Sequence, residues 1–159
     1  MLELLDFTKE YDIESLRRQI QEKEQLGLMT KEMTDCICGE EILGFLGSSA
    51  GHRMKKASQQ GKCFVEQPFV LGMKSKELYP EIESDEWILV QGIIDVYFEE
   101  EDGLVVLDYK TDKVFHAQDL VVRYRAQLEY YAQALERLTG KKVKEKIIYS
   151  FALQKEIEV

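Results

Sequence analysis

The 159-residue chain lacks several features that would fix its class at once. No apolar run approaches ~18 residues, so no membrane span is expected. No secretory signal is visible at the start. Its cysteines, Cys36, Cys38 and Cys63, are odd in number and have no CxxC spacing. That argues against a zinc or iron–sulfur site and for reduced thiols in a cytoplasm. Basic residues are the minority: 21 Lys and Arg face 30 Asp and Glu, for a net charge of −9. A protein that binds nucleic acid through a broad basic surface usually carries the opposite sign. An acidic chain can still handle DNA where metal ions and a local cluster of Lys and Arg meet the phosphates. Repeats, linkers and low-complexity segments are absent. What is there, 45% hydrophobic and 32% charged residues, describes one ordinary globular domain.

The chain is organised around Val90 to Lys110, VQGIIDVYFEEEDGLVVLDYK. Two apolar, β-branched runs flank the acidic turn Glu99 to Gly103, which predicts a β-hairpin. Asp95, Asp108 and Lys110 interrupt runs otherwise built for burial. Charges on central strands are costly unless something pairs with them. Alternation puts Asp108 and Lys110 on one face. A two-residue loop, Asp102-Gly103, sets Asp95 opposite Lys110; a four-residue loop, Glu100 to Gly103, sets it opposite Asp108. Either loop gathers the three groups on one side, and an odd loop without a bulge would not.

Around this hairpin the order is helices, three strands, a long helix, then one or two strands. The opening MLELLDF reads either as the tail of a helix whose beginning is absent or as a frayed N-terminus. Asp12 caps a helix bearing Ile13, Leu16 and Ile20, with Gly27 past its end. Thr30 caps a second, carrying Met33, Ile37 and Ile42, and a third lies around Arg53 to Ala57. Strands are expected over Cys63–Leu71, Trp87–Phe98 and Leu104–Lys110, with Pro80 and a polar stretch separating the first two. The second and third are apolar on both faces, as central strands are. A helix follows over Gln118–Leu138, with the stripe Leu120, Tyr124, Leu128, Tyr131, Leu135 and Leu138, ended by Gly140. Lys144–Phe151 and Lys155–Val159 are the last strands.

The polar trio has two readings. Two carboxylates suit Mg²⁺ or Mn²⁺, hard ions that prefer oxygen. The backbone carbonyl of Tyr109 is a further candidate ligand, while its side chain packs on the opposite face. A lysine two residues beyond the aspartate can orient or deprotonate a water, or stabilise charge on a phosphate. The plainer reading is a cross-strand salt bridge. Gln127 and Tyr131, four apart, share a helix face. The amide would face the sheet, within reach of a water, a phosphate oxygen or Lys110. Tyr131 also belongs to the apolar stripe. Glu66, in VEQPF, either completes a metal site or is a surface residue on an edge strand, and Pro68 favours an edge or bulged strand. Lys113, Arg123 and Arg125 are candidate phosphate contacts or plain solvated charges. Lys141, Lys142, Lys144 and Lys146 are expected to complement the end of the long helix. Few aromatics interleave with these charges, so no stacking platform for single strands is evident.

Gly92-x-x-Asp95, Asp108-Tyr109-Lys110 and Gln127-x-x-x-Tyr131, in that order, resemble the RecB-type nuclease domains of the PD-(D/E)xK superfamily. The similarity is closer to the C-terminal nuclease domain of the AddA subunits of bacterial AddAB helicase–nucleases. VQGIIDVYFEEEDGLVVLDYKTD, YRAQLEYYAQAL, Glu66-x-Pro68-Phe69 and Leu78-Tyr79-Pro80 carry it. The resemblance implies an α/β fold with a restriction-endonuclease-like αβββαβ core: a mixed central sheet flanked by helices, with extra N-terminal helices over 1–60 and the catalytic core over 61–159. It implies Mg²⁺-dependent cleavage of DNA, as a single strand delivered by a helicase, during double-strand break repair and recombination. Mn²⁺ can substitute for Mg²⁺, and ATP serves only a helicase part outside this chain. The implied partners are DNA, the rest of an AddA chain and an AddB-type subunit, with no membrane. By motif, Asp95 and Asp108 hold metal, Lys110 serves water and phosphate, and Gln127 and Tyr131 support the site. The resembled domains carry an upstream helical histidine in a motif like G-T-x-x-H, which this sequence does not contain. His52 and His116 do not match it and read as surface residues. The chain therefore reads as an excised fragment with a weakened metal site. The competing expectations are a non-catalytic module that guides DNA or docks a partner, and a purely structural α/β domain.

Overall fold

The computed structural model of the chain describes residues 2–78, 81 and 83–159. Tyr79 and Pro80, the latter expected to separate two strands, lie outside the described residues. The opening segment is a single 3₁₀ turn, Leu2–Leu4, rather than the tail of an α-helix, yet Leu5 and Phe7 are buried as its apolar character requires. Helix α1 runs Ile13–Gln25, and Asp12 and Ser15 cap each other reciprocally at its start. Thr30 caps only a short α2, Lys31–Asp35. The expected longer helix is broken there, because Ile37 falls between α2 and α3 (Gly39–Leu46), and Ile42 belongs to α3. Helix α4, Ser49–Gln59, starts at the Ser48 cap.

Five strands follow the predicted order. They are β1 (Cys63–Lys74), β2 (Trp87–Glu100), β3 (Gly103–Lys110), β4 (Val143–Ser150) and β5 (Lys155–Glu158). A one-turn α5, Ser75–Leu78, follows β1, where the sequence gives no helical signal. Helix α6, Ala117–Thr139, joins β3 to β4 and ends on Gly140 at φ 71°, a left-handed cap that glycine adopts without strain. The sheet order is β1-β2-β3-β4-β5. Only the β3–β4 pair is parallel among the described pairings, and it is the pair that needs a helical crossover. This is the expected α/β, mixed-sheet architecture.

Each face of the sheet has its own core. Helices α1, α3 and α4 bury Leu16, Phe45 and Met54 against Val96, Phe98, Val105 and Leu107. On the other face α6 buries Leu120, Leu128 and Leu135 against Leu104, Val106 and Ile148. All four residues from Leu104 to Leu107 are fully buried, so β3 is the central strand both layers grip. At about 1.5–3 kcal/mol per buried aliphatic side chain, this strand is held far more firmly than the edges. Leu138, placed in the α6 stripe by periodicity, is exposed. The outer half of β2 is likewise not covered on both faces: Trp87, Leu89 and Ile93 are exposed, because β3 pairs with β2 only from Val96 onward.

The hairpin tip is fastened by ions. Arg53 of α4 donates from Nε to Glu100 at 2.9 Å and from Nη2 to Glu145 at 2.6 Å. Lys144 pairs with Glu100 and Asp102, Lys141 with Glu99, and Lys146 with Glu129. These lysines thus serve the hairpin carboxylates and a mid-helix glutamate rather than the end of α6, as charge alone had implied. The Arg53 guanidinium holds Glu100 down to about 2.

Candidate active site

The hairpin pairs Glu100 with Gly103 and Glu99 with Leu104, which is the register that brings Asp95 opposite Asp108. The ladder is last paired at Val96–Leu107, and there the two strands part. Asp95 uses the opening: its Oδ2 accepts the Tyr109 backbone N–H at 3.1 Å. In a strand the N–H and C=O of one residue face the same neighbour, so the Tyr109 carbonyl is turned to the Asp95 side as well. The Tyr109 ring goes to the opposite face, as parity requires, and packs edge-on against Phe45 with ring centroids 5.1 Å apart.

A face reversal explains why Asp95 sits at a break. Before it, Ile94 packs against α6; after it, Val96 packs against the N-terminal helices. Residues two apart on a regular strand cannot do this. The partner strand reverses on the same rung: Val65 packs on the N-terminal side and Phe69 and Leu71 on the α6 side. The register is unchanged across it, Val65 with Val96 and Gln67 with Ile94. Glu66, opposite Asp95, takes φ 50°, a conformation that costs a non-glycine residue roughly 1–3 kcal/mol. The edge-strand irregularity foreseen from Pro68 is therefore real and lies at Glu66, whose side chain is exposed. Burial, Glu3 and Asp95 together raise the Glu66 carboxyl above its ordinary value.

Asp108 is wholly buried on the α6 face. Lys110 Nζ lies 2.6 Å from its Oδ2. Even so, neither carboxylate oxygen has a well-directed hydrogen bond. Burial, with the Asp95 charge nearby, pushes the Asp108 carboxyl up to about 6, against the pull of Lys110. Burial alone would lower the Lys110 ammonium; its contact with Asp108 outweighs that and holds it above its ordinary value. A salt bridge therefore exists, as the plainer reading proposed, but it leaves the carboxylate under-satisfied. A buried, unsatisfied pair of oxygens beside a second carboxylate and a backbone carbonyl is a donor set suited to a hard divalent cation. Among the described residues no group of three or more Asp, Glu, His or Cys side chains is arranged to hold a metal, so water would have to complete the shell.

Helix α6 covers the pair. Gln127 Oε1 accepts from Lys110 Nζ at 3.5 Å, and Gln127 Nε2 donates to the Tyr131 hydroxyl. Tyr131 is buried, edge-on to Phe69 with centroids 5.6 Å apart, so it is both stripe and support. The Lys110 ammonium also lies 4.1 Å from the centre of the Tyr124 ring. Phe69 explains Gly92: it is the cross-strand partner, and a Cβ at 92 would stand 2.9 Å from its ring. Asp95, in the gap between the strands, and Glu66 also line a cleft of about 310 Å³ with Leu2, Ile37, Ile42 and Phe151.

The other candidates are more scattered. Lys113, Arg123 and Arg125 are exposed, and Arg123 is paired with Asp112. His52 and His116 are both exposed, as expected. Asp112 and Tyr124 join the site although sequence reasoning does not single them out as its partners: Tyr124 donates to Asp112 at 3.0 Å. The signal was present, since Tyr124 lies three residues before Gln127 on the same helix.

A profile of the PD-(D/E)XK nuclease superfamily matches residues 9–158. The chain belongs to that superfamily. It is 41% identical over 165 residues to a subunit of an ATP-dependent helicase/nuclease from Clostridium novyi, covering 100% of this chain and 13% of the relative. Subunits of the same name from Lachnoclostridium phytofermentans and Thermoanaerobacter sp. strain X514 are 37% and 41% identical, covering 100% and 95% of this chain. The chain spans only 12–14% of the length of these relatives. No helix among the described residues is long and apolar enough to cross a membrane.

Proposed function

We propose that this chain is the DNA-cleaving domain of a longer AddA-type helicase–nuclease polypeptide, an exonuclease acting on strands delivered by the helicase during double-strand break repair. Its N-terminal helices, 1–60, and its core, 61–159, form one nuclease domain. The observation that carries this reading is the buried Asp108 carboxylate, unsatisfied despite Lys110, one position past the last paired rung and beside Asp95.

Asp95, Asp108 and the Tyr109 carbonyl would hold Mg²⁺, or Mn²⁺ in its place. Such an ion supplies a bound water of lowered pKa and polarises the phosphate. Lys110 contributes a fixed positive charge for a non-bridging phosphate oxygen and a donor that orients the attacking water. Gln127 holds that ammonium in place, and Tyr131 holds Gln127. Glu66 sits where it can accept a proton through a water at the Asp95 side. Lys113, Arg123 and Arg125, all exposed, would meet the phosphate backbone beyond Lys110. ATP belongs to the helicase part, and the partners are single-stranded DNA, the rest of the chain and an AddB-type subunit, in the cytoplasm.

The test is cleavage of a labelled single-stranded oligonucleotide in Mg²⁺. Activity lost in both Lys110→Ala and Asp95→Ala, with circular dichroism unchanged, supports the reading. Cleavage that persists in both variants, or that the parent never shows within its full-length polypeptide, leaves a DNA-guiding or docking module instead.

A further inference from the structure

The connector between β3 and α6 leaves one aromatic ring bare. Phe115 is 93% exposed, and Val122, one turn into α6, is 75% exposed. The two line one shallow groove with Lys113, Gln118, Asp119 and Arg123. Bare aromatics are usually explained by mobility or by burial against something else, and mobility does not fit here. Val114, next to Phe115, packs into the α6 core. Asp112 is tied to α6 by Tyr124 at 3.0 Å and by Arg123. With α6 beginning at Ala117, itself packed on the same core, the chain is fixed before and after the ring, and the ring is presented rather than frayed.

The position of the ring identifies what would cover it. Phe115 is five positions after Lys110, so the two lie within about 18 Å of each other even on a fully extended chain. Tyr124 ties Lys110 to the connector that carries Phe115, with Lys110 over its ring and Asp112 on its hydroxyl. Charge points the same way. Residues 108–125 carry Lys110, Lys113, Arg123 and Arg125 against Asp108, Asp112 and Asp119, a local excess of +1 within a chain of −9. A flat apolar ring, edged by cations and continuous with a phosphate-handling lysine, matches a nucleotide: base on the ring, phosphates on the cations.

Resting on the nuclease reading above, we infer that Phe115 is a stacking platform for an unpaired base of the strand being cut, with Val122 beneath its edge and Lys113 on the adjoining phosphate. A paired base inside a duplex has both faces covered, so this platform favours single-stranded substrate. Phe115 is a binding residue, not a catalytic one.

Two measurements test this. The first is cleavage of an oligothymidylate and of an equally long strand with an abasic stretch. Phe115→Ala is expected to raise KM on the base-bearing strand about 5- to 150-fold, the range for loss of one stacked base, with kcat within about twofold. On the abasic strand the parent should show the same raised KM, and the variant no further loss. The second uses Phe115→Trp in a Trp87→Phe background, which removes the one native tryptophan, itself exposed. Its fluorescence should be quenched by the base-bearing strand and not by the abasic one, with or without cleavage. An unchanged KM in Phe115→Ala, or equal quenching by both strands, overturns the platform. In that case the ring belongs to a protein contact. Absence of cleavage in the parent strikes the nuclease reading alone, because the quenching still reports the base.

Discussion

Replacing Asp108 by asparagine should make the metal-free domain more stable while removing its response to metal. The carboxyl is held at about 6, against an ordinary 3.8, chiefly because it is buried. Between those two values the folded state keeps a proton that the unfolded state has released. Stability therefore falls as pH rises from about 4 to about 6, and the full penalty stands above that. The gap of roughly 2 pH units corresponds to about 3 kcal/mol at about 1.4 kcal/mol per unit. Asparagine has nearly the shape of the protonated acid and does not carry that penalty. In EDTA at pH 7, Asp108→Asn is expected to exceed the parent by up to about 3 kcal/mol, or roughly 6–12 °C in Tm for a domain of this size. The difference should vanish near pH 4. Divalent cation should reverse the order: at 1,000 times Kd it adds about 4.1 kcal/mol to a binding-competent fold, and nothing to the variant. Urea unfolding at pH 4, 5.5 and 7, with and without Mn²⁺, measures all of this. An Asp108→Asn protein less stable than the parent in EDTA at pH 7 would refute the reasoning. So would an equal gain from Mn²⁺ in both.

Other expectations follow from the same geometry. Arg53→Ala should cost about 1–3 kcal/mol by urea unfolding, because Glu100 and Glu145 lose their shared partner. Glu100 is held down at about 2, so the parent's advantage should be complete above about pH 4.5 and fade as pH falls toward 2. Gly92→Ala should destabilise by about 1–3 kcal/mol and reduce cleavage, since the Phe69 ring must move from Tyr131; a fully active, fully stable variant would count against that packing. Tyr131→Phe keeps the ring and removes only the acceptor for Gln127, so stability should change by no more than about 1.5 kcal/mol while kcat falls about tenfold. An unchanged kcat would release Gln127 and Tyr131 from any positioning role.

Much of this arrangement is legible in the residues. Hairpin, long helix and final strands follow from period and punctuation, and the even-loop argument anticipates the approach of Asp95 to Asp108. Their nearness on opposed strands is foreseeable because parity is a counting rule. The break at Asp95 is not foreseeable. A face reversal needs two strands to turn over together, and Glu66 gives no sign in sequence that it will adopt positive φ. The short α2 escapes the pattern because Met33, Ile37 and Ile42 fit a helical spacing that the chain abandons after Asp35. The surface lysines point to a helix end because charge patterns name a sign but not a partner. Phe115 gives no signal because Val114 beside it is just as apolar and is packed inward, and exposure of a connector residue depends on how the connector is pinned.

The turn Glu101-Asp102 brings the two halves of the site together in the chain, yet it takes no part in the site itself. Five rungs separate it from Asp95, roughly 17 Å at about 3.4 Å per residue. Alignment of the acids is kept by the rungs from Val96–Leu107 to Glu100–Gly103, and by Arg53 and Lys144 clasping Glu100. Extra residues spliced between 101 and 102 would lengthen the loop without shifting those rungs. That tip is thus a place to hang a fluorophore or an affinity tag that rides outside the chemistry while reporting on the strand pair that carries it.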